Sequence, residues 1–148
     1  MTMPIVPADK GARALVAFSG RTELAWLRVL RPGFRHCFAL VQSPAGGDGD
    51  ADALGGPWVL YNPLSSGTQI AVWACVDEQT VRAWLRQQGY TVLETHARPI
   101  GARLYGWRPY TCVEAVKRVL GFHAPGVFTP WQLYCSLKKT KSENDPRL

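Results

Sequence analysis

Apolar residues fall in short runs cut by glycine, proline and polar turns, and the spacing inside each run sets its conformation. Ala14 to Ser19 (ALVAFS) is an unbroken apolar run stopped by Gly20, which predicts a strand. Thr22 to Leu30 carries apolar residues at helical spacing until Pro32-Gly33, which predicts a short helix and a turn. Phe34 to Val41 (FRHCFALV) is a second strand, followed by a Gly, Ala and Asp loop from Ser43 to Gly56. Trp58 to Tyr61 and Gln69 to Val76 flank the turn Ser65-Ser66-Gly67, so three strands form an antiparallel meander. Asp77 caps a helix through Gln88 whose stripe is Val81, Trp84 and Leu85, and Gly89 ends it. Tyr90 to His96 alternates like a strand, Arg98 to Pro109 has no period and reads as a packed loop, and helices follow over Thr111–Leu120 and Thr129–Leu137.

The sum is an α+β domain, a small antiparallel sheet with helices packed on one side. Residues 1–137 are expected to form one domain and residues 138–148 a polar, loose tail. The 148 residues, 47% hydrophobic and 19% charged, suit one globular unit, and a chain of this length hides roughly 68–70% of its unfolded surface. No disulfide or structural metal is required. No apolar run approaches the ~18 residues of a membrane span, and Met1-Thr2-Met3-Pro4 lacks the basic start and apolar stretch of a secretory signal. A cytoplasmic location, or carriage inside a larger assembly such as a virion, is the expectation.

The net charge of +6 includes +2 from the tail (Lys138, Lys139, Lys141 and Arg147 against Glu143 and Asp145), which leaves +4 for the body. That balance favours anionic polymers without selecting one. The arginines are scattered and read as a solvated surface, so no specific nucleic-acid interface is implied. Cys37, Cys75, Cys112 and Cys135 lie 38, 37 and 23 positions apart, with no C-x-x-C pair, which is not a disulfide framework. Each is a small buried hydrophobe or a reactive thiol.

Thr111-Cys112-Val113-Glu114 separates them. It is a T-x-x-E capping box, in which the Thr hydroxyl accepts the third-position amide and Glu114 reaches back to the cap amide. Cys112 then stands in the first turn of a helix, where free N–H groups and the helix dipole favour a thiolate. The Cys112 amide is also offered to an oxyanion. Among His36, His96 and His123, His36 is the best placed base: it lies in a strand beside Cys37, and alternation sends one of the two to a site and the other to the core. Asn62 ends the following strand, where its amide oxygen could hold the second imidazole nitrogen.

A strand His, a polar residue on the next strand and a late Cys opening a helix together resemble the circularly permuted papain-like hydrolases, relatives of the NlpC-type cell-wall peptidases and of the lecithin:retinol acyltransferase group. Arg35-His36-Cys37-Phe38-Ala39-Leu40, Trp58-Val59-Leu60-Tyr61-Asn62-Pro63 and Tyr110-Thr111-Cys112-Val113-Glu114-Ala115-Val116 carry the likeness over roughly residues 34 to 120. The chain also resembles small proteins of phage and prophage structural clusters. The resemblance implies a permuted papain-like architecture with Cys112 as nucleophile, His36 as base and Asn62 as orienting group, acting without a cofactor on an amide in a peptide or in peptidoglycan stem peptides. Position 62 is Asn, so the second His of the acyltransferases is missing.

Plainer readings stand beside these. Cys112 could be a core thiol, His36 a strand histidine held by a carbonyl, and Asn62-Pro63 an ordinary turn opener. His96 is the alternative base, and His123, after Gly121, reads as a surface or capping residue. Cys37, Cys75 and Cys135 read as packing. A zinc site made from some of them with His36 or His123 lacks short paired spacing. Trp26, Trp73, Trp84 and Trp131 fit apolar stripes, whereas Trp107, Tyr105 and Tyr110 stand near Cys112 and are expected to line a substrate groove. The alternative function is a non-catalytic adaptor or structural domain, for example a virion component with phage structural proteins as partners, docking through the aromatic segments around Tyr105–Tyr110 and Phe128–Tyr134.

Overall fold

The computed structural model describes residues 11–43, 55–74, 76–98 and 109–143. It is an α+β fold: one antiparallel sheet of five strands and three α-helices. The strands are β1 (Ala12–Ser19), β2 (His36–Gln42), β3 (Trp58–Leu64), β4 (Gly67–Trp73) and β5 (Thr91–Ala97), ordered β4-β3-β2-β1-β5. The expected meander is β2-β3-β4. The helices are α1 (Glu78–Gln87), α2 (Cys112–Leu120) and α3 (Pro130–Glu143).

Helices cover both faces of the sheet, not one. The reason is visible in β1 and β2, whose apolar runs ALVAF and CFALV leave no polar face to give to water. Ala14, Val16, Phe18, Cys37 and Ala39 pack beneath Val113, Val116 and Leu120 of α2 and Leu133 and Leu137 of α3. Leu15, Ala17, Phe38, Leu40, Trp58 and Leu60 face the other way, against Val81 and Leu85 of α1. Because β4 and β5 are opposite edges, α1 must cross that second face to join them. Asp77 starts α1 by accepting the Thr80 N–H at 2.9 Å, and Trp58 Nε1–H donates to the Val76 carbonyl at 3.0 Å, which ties the crossover to β3.

The helix expected over 22–30 shrinks to a 3₁₀ turn, Ala25–Val29, with no buried residue and no side-chain cap. So short a segment cannot hold an α-helix without tertiary packing, and Trp26, placed in a core stripe by its spacing, is 66% exposed. Trp84 is likewise partly exposed, stacked edge-on against Trp73. At the other end α3 runs past Leu137 to Glu143, into the segment expected to be loose. Lys141 reaches Glu94 of β5 at 3.0 Å, and Lys139 faces Glu143 one turn on, so polar contacts extend the helix after its apolar stripe has ended. No helix among the described residues is long and apolar enough to cross a membrane.

Candidate active site

The capping box forms by half. Thr111 accepts the Glu114 N–H at 3.2 Å and starts α2, but Glu114 does not reach back to the cap. Its carboxylate is buried and pairs with Lys117 at 2.9 Å and Arg118 at 3.3 Å. Lys117, itself buried, also donates to the Ala124 and Val127 carbonyls, each at 3.0 Å. A buried ammonium one turn ahead attracts the carboxylate more than a cap amide does, because an unpaired charge there would be costly. The pair locks α2 to the chain that follows Gly121, whose φ of 60° ends the helix.

Cys112 therefore opens a helix that is fixed along its length. That helix lies on the face of the sheet lined by Cys37 and Ala39, whereas His36 shares the opposite face with Phe38 and Leu40. Sulfur and imidazole meet where the sheet opens. The β2–β3 ladder runs from Gln42↔Trp58 to Ala39↔Tyr61 and stops, so Cys37 and His36 have no partner on β3, where Pro63 offers no N–H.

Asn62 Oδ1 lies 2.8 Å from His36 Nε2. An amide oxygen only accepts, so Nε2 carries the proton and Nδ1 is left for the sulfur. Across the cavity that both line, the His36 ring, together with the thiol and the backbone N–H of Cys37, favours the charged form of the Cys112 sulfur. These contacts hold its pKa at about 5 instead of 9.0: the Cys37 thiol contributes most, burial opposes it, and the His36 hydrogen bond and charge add to it. Burial alone would depress His36, but the neighbouring Cys112, the hydrogen bond to Asn62 and the charge of Glu23 raise it above 6.5. Cys37, fully buried and facing the neighbouring thiolate, is pushed well above the ordinary thiol value by that burial first. The consistent state is a thiolate–imidazolium pair with a neutral thiol behind it.

Cys112, His36 and Asn62 line one cavity of about 430 Å³. Leu24, Trp26 and Leu27 form one wall and Pro63 and Leu64 another. The 20–30 segment is held over the cavity by Ser65 Oγ–H, which donates to Glu23 Oε2 at 2.6 Å, and by Arg35, which donates to the Gly20 and Arg28 carbonyls at 3.4 and 3.3 Å. Tyr110 also lines the cavity, its hydroxyl bonded to that of Tyr61 on β3. Trp107 and Tyr105 lie outside the described residues, as does Cys75.

His96 is exposed on β5 and pairs with Arg13, whereas His36 pairs with Ser19 at the far end of β1. Six residues of strand, roughly 20 Å, separate the two positions, so His96 is no alternative base. Cys135 is exposed on α3, not packed. Among the described residues no group of three or more His, Cys, Asp or Glu side chains is placed to hold a metal. Cys37, read as packing, is buried in the core as expected and also acts on Cys112, whereas Glu23, which acts on His36, was not singled out in the sequence. Alternation did divide Cys37 from His36, but at the strand's open end both act on the Cys112 sulfur. Comparison with family models, curated proteins and solved structures returns no match.

Proposed function

We propose that this protein is a thiol hydrolase that cleaves an amide bond by a Cys112–His36–Asn62 mechanism, in a peptide-type substrate such as a peptidoglycan stem peptide or a protein chain. The observation that carries the reading is the His36–Asn62 hydrogen bond at 2.8 Å in an apolar-walled cavity that also holds Cys112, whose pKa is lowered to about 5. A permuted papain-like arrangement accounts for the order of the three residues along the chain.

In this mechanism the Cys112 thiolate adds to the carbonyl carbon, and the carbonyl π electrons move to oxygen. The Cys112 N–H at the start of α2 faces the developing oxyanion. Collapse breaks the C–N bond while His36 Nδ1–H gives its proton to the departing nitrogen, which leaves an acyl-thioester and a neutral imidazole. That imidazole removes a proton from water as the water attacks the thioester, and the acid product and the thiolate–imidazolium pair are released. Asn62 keeps Nε2 protonated and the ring aimed at the sulfur throughout.

The test pairs a substrate panel with a covalent probe. Stem peptides and unstructured protein are incubated with the enzyme, new amino termini are counted, and a peptidyl vinyl sulfone is mapped by mass spectrometry. Cleavage and labelling at Cys112, both lost in Cys112→Ser and lowered about 10²–10⁴-fold in His36→Ala, are the expected outcome. Equal labelling of the cysteines with no cleavage overturns it.

The adaptor reading has its own support in β4, an edge strand whose Ile70 and Val72 are 65% and 66% exposed. Under that reading Cys112→Ser leaves the protein's biological role intact.

A further inference from the structure

The Asn62 carboxamide has two ends, and only one serves His36. With Oδ1 toward the ring it accepts from Nε2–H at 2.8 Å. Turned by half a rotation it would present Nδ2–H to Nε2–H, donor against donor, and the hydrogen bond that favours imidazolium would be lost. Something must choose the end. Gln69 of β4 stands directly opposite Asn62 in the β3–β4 register, on the same face of the sheet, and its Oε1 accepts from Asn62 Nδ2 at 3.1 Å. Gln69 is exposed and does not line the cavity, so it acts only through Asn62.

We propose that Gln69 is a positioning residue, the outermost member of a relay Cys112–His36–Asn62–Gln69 that runs from α2 across β2, β3 and β4 and fixes the amide orientation on which the thiolate–imidazolium pair depends. This inference rests on the thiol-hydrolase reading of the site. Its logic is directional. An acceptor at position 69 selects Oδ1 for His36. A side chain without one lets the amide turn, weakens the imidazolium and reduces the fraction of Cys112 present as thiolate.

The experiment needs no substrate. The rate of iodoacetamide alkylation at Cys112 is measured across pH by mass spectrometry for the unmodified protein, Gln69→Met, Gln69→Lys, Gln69→Glu and Asn62→Ala. Gln69→Met and Gln69→Lys, which lack the carbonyl oxygen and offer at most a weak thioether acceptor, are expected to move the acid limb to higher pH and to lower the rate at pH 6 by about 3- to 10-fold, the scale of one hydrogen bond. Gln69→Glu, which keeps it, should retain the unmodified protein's limb or lower it. The position is exposed at a sheet edge, and the Met and Lys variants give the same comparison on an apolar and a polar side chain. Variants of Gln69 that superimpose on the unmodified protein while Asn62→Ala shifts overturn the relay. If the unmodified protein itself shows no limb below neutral pH, the underlying reading fails instead.

Discussion

The pKa of Cys112 falls to about 5 because three neighbouring groups favour its thiolate: the Cys37 thiol first, then the His36 imidazole and the Cys37 backbone amide. A thiol is a weak donor in water, but the fully buried Cys37 has no water to compete for it. Cys37→Ala is expected to raise the Cys112 pKa above about 5 and to slow its labelling at pH 6 while leaving His36 and Asn62 in place, as read by pH-dependent alkylation. A variant that labels as fast as the original would show that His36 and the backbone amide of residue 37 sustain the thiolate without the second thiol. That Cys112, His36 and Asn62 line one cavity was legible because each sits at a marked position: a helix cap, a strand beside a cysteine, a strand end before proline. Cys37 was not. Its role depends on where the β2–β3 ladder stops, and pairing length is a tertiary property that a strand's own sequence does not state.

At the scale of elements, α2 is the part on which the site's precision depends. The T-x-x-E pattern announced the start of the helix correctly but misassigned its Glu, since Lys117 lies inside the protein and claims the carboxylate. Burial of Lys117 was not readable from a sequence in which lysine ordinarily marks a surface. Lys117→Ala leaves Glu114 buried with only the partly exposed Arg118 and strips the Ala124 and Val127 carbonyls of their donor. A loss of about 3–5 kcal/mol is expected in urea unfolding, and a loss below about 1 kcal/mol would mean that the pair is dispensable. The elements themselves were largely evident from periodicity, because β1, β2 and α2 combine unambiguous spacing with clear stops. The 22–30 segment was misjudged because helical spacing over so few residues does not secure a helix.

Over the described residues, the sheet separates two apolar layers, and the site lies at the end of β2 that is unpaired with β3. Two layers rather than one follow from β1 and β2, yet those runs do not say which helix covers which face. That depends on α1 crossing from β4 to β5. Leu85→Ala on the α1 side and Leu133→Ala on the α3 side should each cost about 2–5 kcal/mol in chemical denaturation. A near-neutral Leu85→Ala would contradict the two-sided core.

The direct test of the central claim is the alkylation rate of Cys112 as a function of pH. Its lowered pKa makes thiolate available as pH rises through about 5, and the raised pKa of His36 keeps imidazolium beside it to above 6.5. A rate that rises to half its plateau near pH 5, stays level through neutrality, and shifts toward 9.0 in His36→Ala is the predicted result. A rate that climbs without a plateau until pH 9.0 in the unmodified protein would contradict the account.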